Sequence, residues 1–200
     1  VGWQGIFMIL LFIGILLGIG CIRFKESLPA EKRSKTGVWA TFRSFGIIVH
    51  NRRYMLYVFQ LAFAQGILFA YIASSPFIIQ QHYGFSPFAF SICFAVNAVA
   101  IGVAAALSVK FRRTENGTLT GCVGMLVFAV LQMAALYSGC GFWTYELLMF
   151  ALLFMMGLTF TASTTLAMDC ERRYAGAASA LLGALCFASG GIVSPLVGLG

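Results

Sequence analysis

Six long apolar runs, parted by polar gaps, leave this chain few ways to fold. They are Gly2–Ile22, Tyr54–Ile79, Phe88–Val109, Thr118–Ser138, Trp143–Met168 and Ala175–Leu199. A helix needs roughly 20 apolar residues to cross the hydrocarbon core of a bilayer, at about 1.5 Å of rise per residue. Each run reaches that length. Inside lipid the backbone must satisfy its own polar groups, so such runs cross as helices. Composition agrees: 60% of the 200 residues are hydrophobic and 10% are charged, where a soluble domain carries about 25% charged residues. The expected fold class is an all-α membrane protein with six transmembrane helices, its partner the lipid bilayer.

The charge sits in the gaps. Residues 23–53 hold eight Lys and Arg, 110–117 hold three and 169–174 hold two, which together make all 13; the gaps at 80–87 and 139–142 hold none. Basic residues collect in cytoplasmic loops. Loops 23–53, 110–117 and 169–174 are therefore expected in the cytoplasm, and the N-terminus outside. The same placement speaks against nucleic acid as a partner despite a net charge of +7, because the cations are never interleaved with stacking aromatics on a soluble face.

Residues 23–53 form the one long connection. Its first part, RFKESLPAEKRSK, is polar and mixed in charge. Beyond it Trp39, Phe42, Phe45, Gly46 and Val49 follow helical spacing, with Arg43, Arg52 and Arg53 among or after them. That pattern reads as an amphipathic helix on the inner membrane surface or as a tethered linker. After the second run, Gly84-Phe-Ser-Pro marks a tight turn and a helix start, with Ser86 as N-cap and Pro87 in the first turn.

Catalytic and metal-binding patterns are missing. Six cysteines show no CxxC and no Cys/His spacing. No HExxH, Walker loop or dinucleotide fingerprint occurs, and both histidines, His50 and His82, lie in gaps. The expectation is no enzyme, no metal and no cofactor.

Polarity inside the runs is uneven. In Tyr54–Gln81, Gln60, Ala64, Ile67, Tyr71, Ser74 and Ser75 fall on one stripe at 100° per residue, with Gln65 off it. Such a stripe is either a helix–helix seam or the wall of a wet, substrate-binding cavity. The third run carries Asn97 and a small-residue row, Ala98, Gly102 and Ala106; the last carries Gly176, Ala180, Ala184 and Ala188. Gly14 and Gly18 share that spacing in the first run. Rows of this kind let backbones approach closely. In the fifth run Gly157, Thr161, Thr164, Thr165 and Met168 share a face that reads as a second cavity wall or as helix packing. Pro76 and Pro195 are expected to bend their helices. Glu146, the one carboxylate inside a run, either titrates with transport or, near the outer interface, reaches water. Runs one and four are poorest in polar residues and are expected at the periphery.

Several of these residues look familiar together. WQGIF entering the first run, ESLP just after it, FAYIASSPFIIQQHYGFSPFAFSICFAVNA and AGAASALLGALCFASGGIVSPLVGL resemble the major facilitator superfamily, and within it the drug:proton antiporters of the bicyclomycin/chloramphenicol-resistance (Bcr/CflA) type. The resemblance implies a partial major-facilitator fold: residues 1–22 the sixth and last helix of an N-terminal half, 23–53 the cytoplasmic loop between halves, and 54–200 a C-terminal half up to helix eleven. It implies runs two, three, five and six around a central cavity and, as further partners, the remaining helices of a full-length protein. The family's loop motif is represented by SVKFRRTENG, where Arg112 and Arg113 match its cations and its Asp is absent. Proton coupling would use an acid in the first helix of the family, outside this chain. The function so implied is proton-coupled export of small amphiphilic molecules, including drugs, across a bacterial inner membrane by alternating access. Gln60, Tyr71, Ser74, Asn97 and Thr161 are the expected cavity residues. A sugar or metabolite facilitator of the same fold, or a membrane sensor or assembly subunit built on it, remain the alternatives.

Overall fold

A computed structural model describes residues 3–24 and 38–199, with side chains from 4 to 24 and from 43 onward. ESLP, the rest of the polar stretch at 25–37, and the side chains of Trp39 and Phe42 lie outside the described residues. Residues Val1–Gly37 and Val38–Gly200 form two separate units. Among its described residues the first contains one helix, α1 (Trp3–Ile22), whose apolar side chains are exposed along its length, Gly14 and Gly18 meeting nothing.

The second unit is helical throughout its described residues. It runs α2 (Val38–His50), α3 (Arg52–Pro76), a π-helical segment Phe77–His82, α4 (Pro87–Ser108), α5 (Thr114–Tyr137), α6 (Phe142–Cys170), a short 3₁₀ turn Arg172–Tyr174, and α7 (Ala175–Val197). Counting α1, six helical stretches among the described residues are long and apolar enough to cross a membrane. They match the six runs, with α3 and its π segment extending from Arg52 to His82 as one span.

Local chemistry sets the helix ends. Asn51 caps α3, its side chain accepting from the Tyr54 amide. Ser86 caps α4 in extended backbone, accepting from the Ala89 amide at 3.2 Å with Pro87 just inside. Gly84 and Gly139 make the two turns at the opposite end of the bundle from Asn51, both with positive φ (+71° and +70°), a region open to glycine at no steric cost. Pro76 lacks the N–H that an α-turn would use. Beyond it the chain continues as π-helix rather than stopping, and the Tyr83 amide reaches back five residues to the Ile78 carbonyl. Pro195 lies in the last turn of α7.

α6 is the hub. It packs against α5, α4 and α3, while α7 packs along α3. Apolar helices gain little from leaving lipid for protein, so close backbone approach has to hold them. Glycines provide it. A Cβ on Gly121 or Gly124 of α5 would strike Thr159 or Met155 of α6, and one on Gly157 of α6 would sit 2.9 Å from Ala104 Cβ of α4. Gly190 of α7 lies against the Phe69 ring of α3. The rows expected from sequence are not the ones that pack within this unit. Ala98, Gly102 and Ala106 are exposed, and α4 buries Asn97, Ala100, Ala104 and Ser108 instead. In α7 the row Gly176, Ala180, Ala184 and Ala188 is exposed, and Ala178, Cys186 and Gly190 are buried.

At the Asn51 end, α2 is part of the core. Ile48 is fully buried in a cluster with Tyr54, Val58, Ala167 and Ala178. The Tyr54 hydroxyl donates to the Ala178 carbonyl at 2.6 Å, and Asn51 Nδ2 donates to Glu171 at 2.6 Å. Asp169 pairs with Arg172 on the surface. A helix stands where the sequence places an amphipathic one; Ile48 docks it, and Val49 is half exposed.

Substituting the seam glycines tests this packing. Gly121→Ala and Gly157→Ala are expected to lower stability by about 1–3 kcal/mol each, whereas Gly102→Ala, which meets nothing within 4 Å, leaves it unchanged or slightly raised. Thermal unfolding of the detergent-solubilised full-length protein reads the difference.

Candidate functional site

The polar centre of the unit joins three helices. Asn97, fully buried on α4, has an amide with two N–H donors. One goes to the Tyr71 hydroxyl of α3 at 3.1 Å and the other to Glu146 Oε1 of α6 at 2.9 Å. Tyr71 is itself buried and stacks on Phe94, ring centres 5.7 Å apart and planes 10° apart.

Axial offset makes this meeting possible. Asn97 lies ten residues beyond Pro87, about 15 Å along α4, whereas Glu146 lies four beyond Phe142, about 6 Å along α6. The carboxylate near the start of one helix thus reaches the middle of another. Above it stands an aromatic cap. Phe142 lies 4.2 Å from the Phe85 ring and 5.6 Å from that of Tyr83, and Tyr83 lies 5.8 Å from Tyr145. The Tyr83 hydroxyl donates to the Cys140 carbonyl at 3.0 Å, tying the two glycine turns together. Burial, and the neighbouring Cys140 thiol, push this phenol up to about 12, so it keeps its proton and the tie persists through the physiological range.

Glu146 is half-buried. Its Oε2 is shut away from solvent with no hydrogen-bond partner, and no Lys, Arg or His among the described residues pairs with it. Its shallow position in its own helix leaves it half-buried and at the wall of a cavity. A cavity of about 300 Å³ lies beside it, walled by Phe85, Ile92, Val96, Phe142 and Trp143.

The five residues expected to line one cavity do not assemble as a set. Tyr71 and Asn97 meet. Gln60, eleven residues before Tyr71 and about 16 Å along α3, donates to the Cys122 thiol of α5. Ser74 turns back to the Ala70 carbonyl at 2.8 Å, and its neighbour Ser75 is the buried one. Thr161 is half-buried, about 22 Å along α6 from Glu146. The polar groups that α6 buries in that region are Thr159 and Ser163, the latter 3.2 Å from Thr118 of α5. Thr164 and Thr165 bond back to their own helix. Arg112 and Arg113 are exposed in the turn between α4 and α5.

Comparison with known proteins decides the family. The family model described as Major Facilitator Superfamily matches residues 1–195. The chain belongs to the major facilitator superfamily. A curated relative, the uncharacterized MFS-type transporter YdgK of Bacillus subtilis (strain 168), is 36% identical over 202 residues, covering 98% of this chain and 50% of the relative. The chain spans about half the length of that curated relative. No solved structure matches it significantly. Membership of this transporter superfamily agrees with the all-α architecture and with six helices long enough to span a bilayer.

Sequence reasoning singled out Tyr71, Asn97 and Glu146 in this superfamily member but did not join them. It put Ser75 on the polar stripe but chose Ser74 as the cavity residue, and it passed over Tyr145; Ser75 and Tyr145 are both fully buried. Tyr145 directly precedes Glu146, and that adjacency was the available signal.

A double-mutant cycle measures the join. Asn97→Leu leaves Glu146 and Tyr71 without their donor and is expected to cost about 1–3 kcal/mol. Combining it with Glu146→Met removes both ends of the bond and is expected to recover most of that loss, read by thermal unfolding of the full-length protein in detergent. Additive effects of the two substitutions would contradict the pairing.

Proposed function

We propose that the full-length protein exports small amphiphilic molecules in exchange for protons, by alternating access of two helical halves across a bacterial plasma membrane. In this reading residues 1–22 are the last helix of the first half, 23–53 the cytoplasmic connection, and 54–200 most of the second half. The Asn51 end of the bundle faces the cytoplasm, since Arg52, Arg53, Lys110, Arg112, Arg113, Arg172 and Arg173 lie in the gaps at that end. The N-terminus of the chain is then outside.

The observation that carries the reading is the Tyr71–Asn97–Glu146 array. A transporter gains from intramembrane polarity only where it binds cargo or the coupling ion. Here a carboxylate without a cationic partner is held between three helices, under aromatic side chains and beside an apolar cavity. Aromatic and aliphatic walls with a few polar groups suit an amphiphile, and a lone carboxylate suits a proton. Tyr71 and Asn97 act on cargo or on the Glu146 carboxyl, and Pro76 with the π segment after it supplies a bend above them. Gln60, Ser74 and Thr161, engaged elsewhere or distant, serve as neighbours of the route rather than as its centre.

Export is tested in cells expressing the full-length protein. A lipophilic cationic dye should accumulate less than in control cells, and a protonophore should abolish the difference. Glu146→Gln should reduce export at least tenfold while the protein still reaches the membrane. Accumulation indifferent to the protein, or export indifferent to the protonophore, would refute proton-driven export.

A further inference from the structure

Two breaks between helices are tied together at the Asn51 end of the bundle. Asn51 is the single residue between α2 and α3, and Glu171 is the single residue between α6 and the 3₁₀ turn. Each polar atom of Asn51 is engaged. Its N–H donates back to the Ile48 carbonyl of α2 at 3.0 Å, and its carbonyl accepts from the Met55 amide of α3 at 3.0 Å. Its Oδ1 accepts from the Tyr54 amide at 3.3 Å, and its Nδ2 donates to Glu171 Oε1 at 2.6 Å. Glu171 is held from its own side, its amide donating to the Met168 carbonyl at 3.2 Å and its carbonyl accepting from the Tyr174 amide at 3.0 Å. Arg172 pairs with Asp169 at 2.9 Å, which leaves the Glu171 carboxylate to Asn51.

A second anchor lies three residues earlier. Ile48 is fully buried among Tyr54 and Val58 of α3, Ala167 of α6 and Ala178 of α7. The Tyr54 hydroxyl, donating to the Ala178 carbonyl at 2.6 Å, joins α3 to α7 in the same cluster. Elsewhere on α2, Ser44 and Phe45 are half-buried, and Arg43, Gly46, Ile47, Val49 and His50 are exposed. One anchor leaves a helix free to swivel about the two soft dihedrals of the residue that joins it to the next. Two anchors fix its direction. A connection that has only to span a gap runs slack over the surface. The 23–53 connection instead ends in a helix plugged and tied to three others.

We propose that Asn51 and Glu171 form a clasp that makes α2 a rigid arm of this half, through which the 23–53 connection acts on the cytoplasmic ends of α3, α6 and α7 together. A change of angle between the halves then reaches these three ends as one displacement instead of being absorbed at Asn51. Both are positioning residues, since Asn51 lies about 30 Å along α3 from Tyr71. The arm has a use only if the halves move, so this rests on the export reading. Amide exchange needs no cargo and decides the clasp separately.

Hydrogen exchange of the full-length protein in detergent, read by mass spectrometry over residues 43–54, is the test. Asn51→Asp keeps the oxygen that caps the Tyr54 amide but sets a second carboxylate against Glu171. It should speed exchange of the α2 amides about tenfold, or about 1.4 kcal/mol, as loss of a charge-assisted hydrogen bond requires, and leave α4 and α5 as in wild type. Asn51→Asp combined with Glu171→Gln restores donor and acceptor in exchanged places, and should bring α2 back to within about threefold of wild type. With the lipophilic cationic dye as cargo, Asn51→Asp should lower the maximal export rate about threefold at an unchanged half-saturating concentration, and the exchanged pair should recover it. Exchange of α2 unmoved by Asn51→Asp, or an exchanged pair no closer to wild type than Asn51→Asp alone, would overturn the clasp. An α2 released with no fall in export would overturn the arm.

Discussion

A helix that is apolar on every side has no strong reason to leave lipid for another helix, and that constraint shapes the whole bundle. What remains is contact between backbones, available only where side chains are small. Gly121 and Gly124 bring α5 onto Met155 and Thr159, Gly157 brings α6 onto α4, and Gly190 admits the Phe69 ring. Because two of these seams converge on α6, which also packs against α3, that helix holds the unit together. Its close approach to α4 and α3 is also what puts Glu146 within reach of Asn97.

The polar centre depends on those seams. With α4 and α6 packed at Gly157, Asn97 near mid-helix and Glu146 near a helix start fall at one level, and a single amide bridges Tyr71 and the carboxylate. The rings of Tyr83, Phe85 and Phe142 cluster together near the start of α6, and Glu146, half-buried, keeps Oε2 out of solvent. Low local dielectric strengthens the hydrogen bonds that are made and penalises the atoms left open. A superfamily of transporters is the setting in which open, buried oxygens have an obvious use.

Much of the architecture was legible in the sequence because it follows from length. Runs long enough to span became helices, and Ser86-Pro87 and Gly84 fixed the turn between α3 and α4 where the residue types demanded it. The facing of each helix was not legible. In α4 the row Ala98–Gly102–Ala106 and the row Asn97–Ala100–Ala104–Ser108 are both small, and nothing in an evenly apolar helix says which one turns inward. Gln60 illustrates the same limit: it shares a stripe with Tyr71, yet it ends beside Cys122 of α5. The meeting of Asn97 with Glu146 required the offset between two helices, which no single-helix pattern contains. The π segment after Pro76 likewise escaped detection, since a proline near a helix end ordinarily signals a stop.

The state of the Glu146 carboxyl is the most direct gauge of the account, whose central claim is that Asn97 holds it inside the bundle. Isotope-edited infrared difference spectroscopy of the full-length protein, taken across a pH step, reads that carboxyl by its stretching band. The account predicts a carboxylic-acid band that disappears in Glu146→Gln and changes frequency in Asn97→Leu as its donor is lost. A band unaltered by Asn97→Leu, or one at the frequency of a fully hydrated carboxyl, would contradict it.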